Sequence, residues 1–174
     1  LSLPALTVPT ITLNRVDGES ADSPENLFQF GLSALDEVKQ IADRAWLQGQ
    51  THVLLIAPDS GWGQRATEYF INSWSARGGV VTDAISYPTA VKDFTKLLKA
   101  PLEIDLSEKR GLEMRRFINS NLSYTARRRD DIDLVVVLGY SEQARQIKPS
   151  LDFLYAGDIP VYASSHIYNG TQQI

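Results

Sequence analysis

The sequence predicts an α/β fold, a mostly parallel sheet with helices on both faces, and three observations predict it. Strand-length apolar runs at His52–Ala57, Val80–Ser86 and Leu134–Leu138 alternate with stretches whose apolar residues recur at helical spacing. The runs HVLLIA and LVVVL lack the polar alternation of a half-exposed strand, so they suit a sheet covered on both sides. The composition, 43% hydrophobic and 22% charged over 174 residues, is that of one globular domain large enough to bury a core. Strands alternating with helices of this length imply right-handed crossovers.

In chain order, Ala5–Leu13 alternates and is β-branched, an opening strand with Pro9 marking an edge or bend. Arg15–Asn26 is acidic and turn-rich, a solvated loop or hinge. Ser33 is placed to cap a helix carrying Leu35, Val38, Ile41, Ala42, Ala45 and Trp46, with Gly49 ending it. After the strand at His52, Pro58, Asp59, Ser60 and Gly61 form a tight turn. A helix follows whose face holds Ala66, Tyr69, Phe70, Ser73 and Trp74, stopped by Gly78 and Gly79.

Beyond Val80–Ser86 the pattern weakens. Asp93–Lys99 predicts a short helix before Pro101, and a surface loop after it. Lys109–Leu122 predicts a longer helix with Met114, Phe117, Ile118 and Leu122 facing inward. Ser141 is placed to cap the last helix, whose stripe is Ala144, Ile147, Leu151 and Leu154. Pro149 inside it predicts a kink or a split. Gly157 ends it before a final strand at Ile159–Ala163.

Lys and Arg number 17 against 21 Asp and Glu, a net charge of −4 that argues against a duplex nucleic acid partner. The absence of cysteine excludes disulfides, thiolate catalysis and cysteine-based zinc sites. The opening LSLPALTVPTITL is interrupted by Pro4 and Pro9 and has no basic leader, so it reads as neither signal peptide nor membrane span.

The loop leaving the carboxyl end of a strand is where α/β sheets usually bind ligands, so the turn after Ala57 is the first place to look. Gly61-Trp62-Gly63-Gln64-Arg65-Ala66 fits G-x-G-x-x-A, with Asp83 at the spacing of a ribose ligand. Three features oppose a dinucleotide: Pro58-Asp59-Ser60 lengthens the turn, Trp62 is bulky, and Asp59 is negative where phosphates sit. The glycines then serve backbone geometry. Asp59, Ser60 and His166 supply the residue types of a hydrolytic triad, but DSGWG is not G-x-S-x-G. His52 and His166, the only histidines, lack metal-ligand spacing, and Asp59 lacks the paired acids that would hold magnesium in a receiver domain. No cofactor is predicted. Arg127, Arg128 and Arg129 could dock a partner, yet Asp130, Asp131 and Asp133 follow and can neutralise them locally. Trp46, Tyr69, Phe70 and Trp74 lie on apolar stripes and read as core. Trp62 sits in a turn and can cover a ligand, a partner or the helix start.

The blocks LTVPTITLNR, FQFGLS, HVLLIAPDSGWGQR, TARRRDDIDLVVV and ARQIKPSLDFLYAGDIPVYASSHIYNG resemble the LppC/LpoA family of bacterial outer-membrane lipoproteins, from about Pro4 to Gly170. The resemblance implies a type I periplasmic-binding-protein-like domain, mainly its second lobe. Residues 1–28 would hold the last strand of the first lobe and a hinge-side acidic loop, with Phe28–Gly31 crossing the hinge, and 29–174 the second-lobe α/β domain. It implies a non-enzymatic protein that activates a bifunctional class A penicillin-binding protein and so promotes peptidoglycan synthesis. It further implies a place on the periplasmic side of the outer membrane, through a lipid anchor outside these residues. Carried over by position, an interlobe cleft would use Pro58, Asp59, Ser60 and Trp62, then Gly139 and Tyr140, then Ser164 and Ser165. The alternative it leaves open is a periplasmic domain that closes on a small solute between two lobes.

Overall fold

The computed structural model describes residues 7–13, 25–31, 33–88, 90–118 and 123–170. A parallel sheet of four strands forms the body, β3 (His52–Pro58), β4 (Val80–Tyr87), β5 (Leu134–Val137) and β6 (Val161–Ala163), in the order β4-β3-β5-β6. Two shorter strands, β1 (Thr10–Thr12) and β2 (Leu27–Gln29), pair parallel with each other in a separate sheet. The helices are α1 (Ala34–Leu47), α2 (Gly61–Ser75), α3 (Phe94–Lys99), α4 (Ile104–Ile118) and α5 (Ser141–Phe153), and a single 3-10 turn follows β6 at Ser165–Ile167. None of these helices is long and apolar enough to cross a membrane.

The alternation of β3 decides which helix covers which face. Val53, Leu55 and Ala57 point to one side with Leu134, Val136 and Leu138, and there they meet Val38 and Ala42 of α1 and Ala66, Phe70 and Trp74 of α2. Leu54 and Ile56 point to the other with Val135 and Val137, against Phe94 and Leu98 of α3, Leu102, and Ile147 and Leu151 of α5. Both faces are therefore dry, as two unalternating aliphatic runs require. Each large side chain so buried contributes roughly 1.5–3 kcal/mol.

Local signals set the helix ends. The Ser33 hydroxyl accepts the Asp36 amide at 3.2 Å, and Asp36 and Glu37 in the first turn and Arg44 in the last suit the helix dipole. Gly49 follows with φ of 80°, a left-handed position that closes the turn into β3. Asp93 caps α3 in the same way, its carboxylate accepting the Lys96 amide at 3.2 Å.

Several expectations are corrected. α4 begins at Ile104, where a surface loop was expected, and buries Ile104, Ser107 and Gly111; Met114, Phe117 and Ile118 are exposed. The buried stripe is Ile104, Ser107 and Gly111, where the Tyr124 ring packs so closely that a Cβ on Gly111 would come within 2.4 Å of it; Met114 and Ile118 continue that stripe past the packed part of the helix, and Phe117 faces away from it. Ser141 is the first residue of α5 and not its cap, which is Tyr140. Pro149 does not split α5, which runs unbroken past it with the proline on its exposed side. That helix closes at Leu154, ahead of Gly157, and the left-handed residue after it is Tyr155, with φ of 59°. Leu122 and most of the acidic loop lie outside the described residues.

One carboxylate ties the entry of the sheet together. Oδ2 of Asp133 accepts the Thr51 amide at 3.0 Å, the Thr51 hydroxyl at 3.0 Å and the His52 amide at 2.9 Å, while the Asp133 amide donates to the His52 carbonyl at 2.9 Å. Burial raises this carboxyl's pKa, but the amides, the hydroxyl and the His52 ring outweigh it and hold it below the ordinary 3.8. A group depressed by folding adds stability above its unfolded pKa and loses it as pH falls through the folded one. Asp133→Ala is thus expected to cost about 1–2 kcal/mol at neutral pH. The loss should shrink below about pH 4, as paired urea melts at pH 7 and pH 3 will show; equal losses at both refute the linkage.

Candidate functional site

The carboxyl ends of β3, β5 and β6 open on one edge of the sheet, and three rings converge there. Trp62 stands in the first turn of α2, Tyr140 at the N-cap of α5, and His166 in the 3-10 turn after β6. The Trp62 ring centroid lies 5.0 Å from that of His166 and 6.0 Å from that of Tyr140, and Tyr140 meets His166 edge-on at 6.1 Å. These separations are those of favourable aromatic contacts.

The turn beneath Trp62 is stitched to the sheet. The Asp59 amide donates to the Tyr87 carbonyl at 2.7 Å, and the Ser60 amide to the Pro58 carbonyl at 2.9 Å. The Ser60 hydroxyl accepts the Gly63 amide at 3.1 Å, which makes Ser60 the N-cap of α2. Gln64 donates to the exposed Asp59 carboxylate at 3.3 Å. On the far side, the Ser165 amide and hydroxyl both donate to the Glu37 carboxylate in the first turn of α1, the hydroxyl at 3.0 Å.

Near this edge three side-chain polar atoms are buried without a well-formed hydrogen bond among the described residues: Trp62 Nε1, the Ser164 hydroxyl and the Tyr87 hydroxyl, the last approached by the Tyr140 main chain. Tyr87 reaches from β4 to Gly139, where a Cβ would come within 2.4 Å of its oxygen; Gly139 leaves room for the phenol. Burial pushes the Tyr87 phenol up to about 12, the adjacent Tyr140 adding to the rise and the Tyr140 main chain opposing it. Tyr87 is accordingly a neutral hydroxyl at physiological pH. The arrangement offers aromatic packing and a few buried hydrogen-bonding groups.

Every position predicted at the strand ends lies along this edge, and the structure brings Trp62 and Tyr140 into one cluster. Ser60, Asp59 and Ser165 bond within the chain, Pro58 is buried, and Ser164 is buried with its hydroxyl unpartnered. Among the described residues no hydrogen bond joins Ser60, Asp59 and His166 into a triad. No group of three histidine, aspartate or glutamate residues there is placed to hold a metal ion. Asp83 pairs with Leu54 in mid-strand, while the turn begins at Pro58 opposite Tyr87, roughly 13 Å further along the strand. It cannot serve as the ribose partner of the GWGQRA turn. Sequence reasoning named none of Tyr87, Glu37 and His166 among the strand-end candidates. The strand-end rule already pointed to Tyr87, whereas nothing local in the sequence joins Glu37 to Ser165.

Arg127, Arg128 and Arg129 lie at the opposite edge, just before β5. Arg128 donates to the Tyr155 carbonyl at 3.1 Å and pairs with Asp158 at 2.8 Å. Arg129 grips both oxygens of Asp131, at 2.6 and 2.7 Å, and its guanidinium holds that carboxyl below its usual pKa. Arg127 is exposed.

The family described as LppC putative lipoprotein matches residues 3–174. A curated relative from Vibrio antiquarius, named penicillin-binding protein activator LpoA, is 26% identical over 167 residues, which is 94% of this chain and 27% of that protein. The chain thus spans about a quarter of that relative's length. Among solved structures, the LpoA C-domain of Haemophilus influenzae, described as a regulator of PBP1A, superposes with a TM-score of 0.56 at 18% identity, over 92% of this chain and 41% of that one. An ABC transporter substrate-binding protein of Sphaerobacter thermophilus gives 0.61 at 20%, over 89% and 37%. These likenesses establish the periplasmic-binding-protein-like fold.

Proposed function

The chain belongs to the LppC lipoprotein family, and from that premise we propose that it is a regulatory domain of an envelope lipoprotein that activates a class A penicillin-binding protein and so promotes peptidoglycan synthesis. The observation that carries this reading is the family match over residues 3–174 together with the activator name of a relative aligned over 94% of the chain. The chemistry of the site agrees with it. Ser60 and Ser165, the hydroxyls a hydrolase would need free, are held by Gly63 and Glu37. In this reading the protein acts at the periplasmic side of the outer membrane and works by binding rather than by catalysis.

Pro58, Asp59, Ser60, Trp62, Gly139, Tyr140, Ser164 and Ser165 then form the second lobe's wall of the interlobe cleft, where it faces the remainder of the two-lobed domain. Solute capture there is less well supported, because Asp59, Ser60 and Ser165 already bond within the chain and the polar atoms that do not, on Trp62, Ser164 and Tyr87, are buried out of reach of solvent. The test is glycan polymerisation and cross-linking by the purified penicillin-binding protein of the same cell, with and without the full-length lipoprotein. Several-fold stimulation is expected; no binding and no stimulation would sink the proposal.

A further inference from the structure

One flank of α4, from Ile104 through Gly111 and Leu112 to Arg115, borders a groove. Its floor is Ile104 and Leu154, both buried, and its walls are Leu112, Tyr124, Phe153 and Tyr155, enclosing about 530 Å³. Leu112 is 55% exposed, Phe153 71% and Tyr155 58%. Large apolar side chains gathered in this way mark an interaction surface rather than ordinary scatter.

The walls are built. The Tyr124 hydroxyl is bonded to the side chain and carbonyl of Ser107, and the Arg127 amide donates to the Ser107 hydroxyl at 2.9 Å. Arg128 clamps the Tyr155 carbonyl and Asp158 from behind. A groove held open by its own hydrogen bonds loses little ordering entropy when something enters it.

Charge says what enters. From Ile104 to Arg127 the sequence has five bases, Lys109, Arg110, Arg115, Arg116 and Arg127, against three acids, Asp105, Glu108 and Glu113, in a chain of net charge −4. The acid that lines the groove, Glu108, is neutralised by Lys99 at 2.9 Å. Arg115 lines the groove, Arg116 follows Leu112 by one turn, and Arg127 adjoins the lining residue Ala126. We propose that this groove is the docking site for the partner, taking a short segment of it whose apolar side chains are flanked by aspartate or glutamate. The proposal rests on the activator reading above and names the surface that serves it. Concavity favours a polypeptide over a bilayer, since a recessed floor admits a few side chains and a flat lipid surface does not fill it.

The experiment uses the full-length lipoprotein and the purified penicillin-binding protein. Leu112→Glu combined with Phe153→Glu changes two exposed side chains and should leave the thermal melt in place. It is expected to weaken binding at least about tenfold and to abolish stimulation. Arg116→Glu, a second variant on the exposed helix surface, should weaken binding in low salt and much less in high salt. Glu68→Lys, exposed on α2 at the other face of the sheet, should change neither. Wild-type stimulation with undiminished binding by both groove variants overturns the groove and leaves the activator reading standing. No stimulation by wild type overturns both. Wild-type binding to phosphatidylglycerol vesicles that the groove variants lose, while they still stimulate the enzyme, assigns the patch to lipid and also overturns the proposal.

Discussion

Gly63→Ala is expected to destabilise the domain by about 3 kcal/mol or more, while Gly61→Ala, two residues earlier in the same motif, leaves it folded. A Cβ on Gly63 would stand 2.0 Å from the Pro58 carbonyl oxygen and 3.0 Å from its carbon. Neither atom can retreat. Pro58 is the last residue of β3, held in register opposite Tyr87, and its carbonyl accepts the Ser60 amide at 2.9 Å. Relief would require moving α2 off the strand and breaking the Ser60 cap on Gly63, itself worth about 1 kcal/mol. A Cβ on Gly61 would meet only Arg65 Nη1, at 3.6 Å, and alanine at a helical position gains up to about 1 kcal/mol over glycine. Urea unfolding of the two variants decides it, and equal midpoints refute the argument. Against a total stability of about 5–15 kcal/mol, the larger loss is a substantial fraction. The result also accounts for the second glycine of GWGQRA, which the chain's own backbone requires.

That glycine shows which part of the fold was legible in the sequence. Where the cause is local, the pattern and the structure agree: Ser33 caps α1, the run from His52 becomes β3, and LVVV becomes a strand buried on both faces. Where the cause lies far along the chain, they part. α4 has apolar residues on two sides, and periodicity cannot tell that the buried stripe will be Ile104, Ser107 and Gly111, under the Tyr124 ring. β2 is three residues long, too short for any alternation to register, and exists because β1 lies beside it. The site divides in the same way. Strand ends located Trp62, Tyr140, Ser164 and Ser165, because sheet topology alone brings them to one edge. The tilted ring contact of Trp62 with His166 and the bond from Ser165 to Glu37 join residues more than one hundred positions apart, and no spacing rule anticipates them.

Trp74→Ala is expected to cost about 3–5 kcal/mol, in the range of large aromatic deletions from a core. The indole is fully buried, stacks on Phe70 at 5.6 Å, meets Trp46 edge-on at 5.7 Å and donates from Nε1 to the Val80 carbonyl at 3.3 Å. Gly79 is shaped around it, since a Cβ there would lie 2.4 Å from Nε1. The chain cannot close over the vacancy easily, because α1, the end of α2 and the start of β4 each use the ring as a wall. Trp46, at the rim with 36% of its surface exposed, should cost no more than about 1–2 kcal/mol when cut to alanine. The contrast is measured by chemical denaturation, and a Trp74→Ala loss below about 1 kcal/mol contradicts the packing. Distance supplies the second half of the prediction. Trp62 and Trp74 are twelve residues apart on α2, roughly 18 Å along its axis, and the cap on Ser60 does not involve Trp74. Under conditions where the variant is still folded, the near-ultraviolet signal of the Trp62, Tyr140 and His166 cluster should therefore persist. Its loss alongside native far-ultraviolet signal means that the strand-end cluster depends on the far end of α2, and that core and cluster are one cooperative unit.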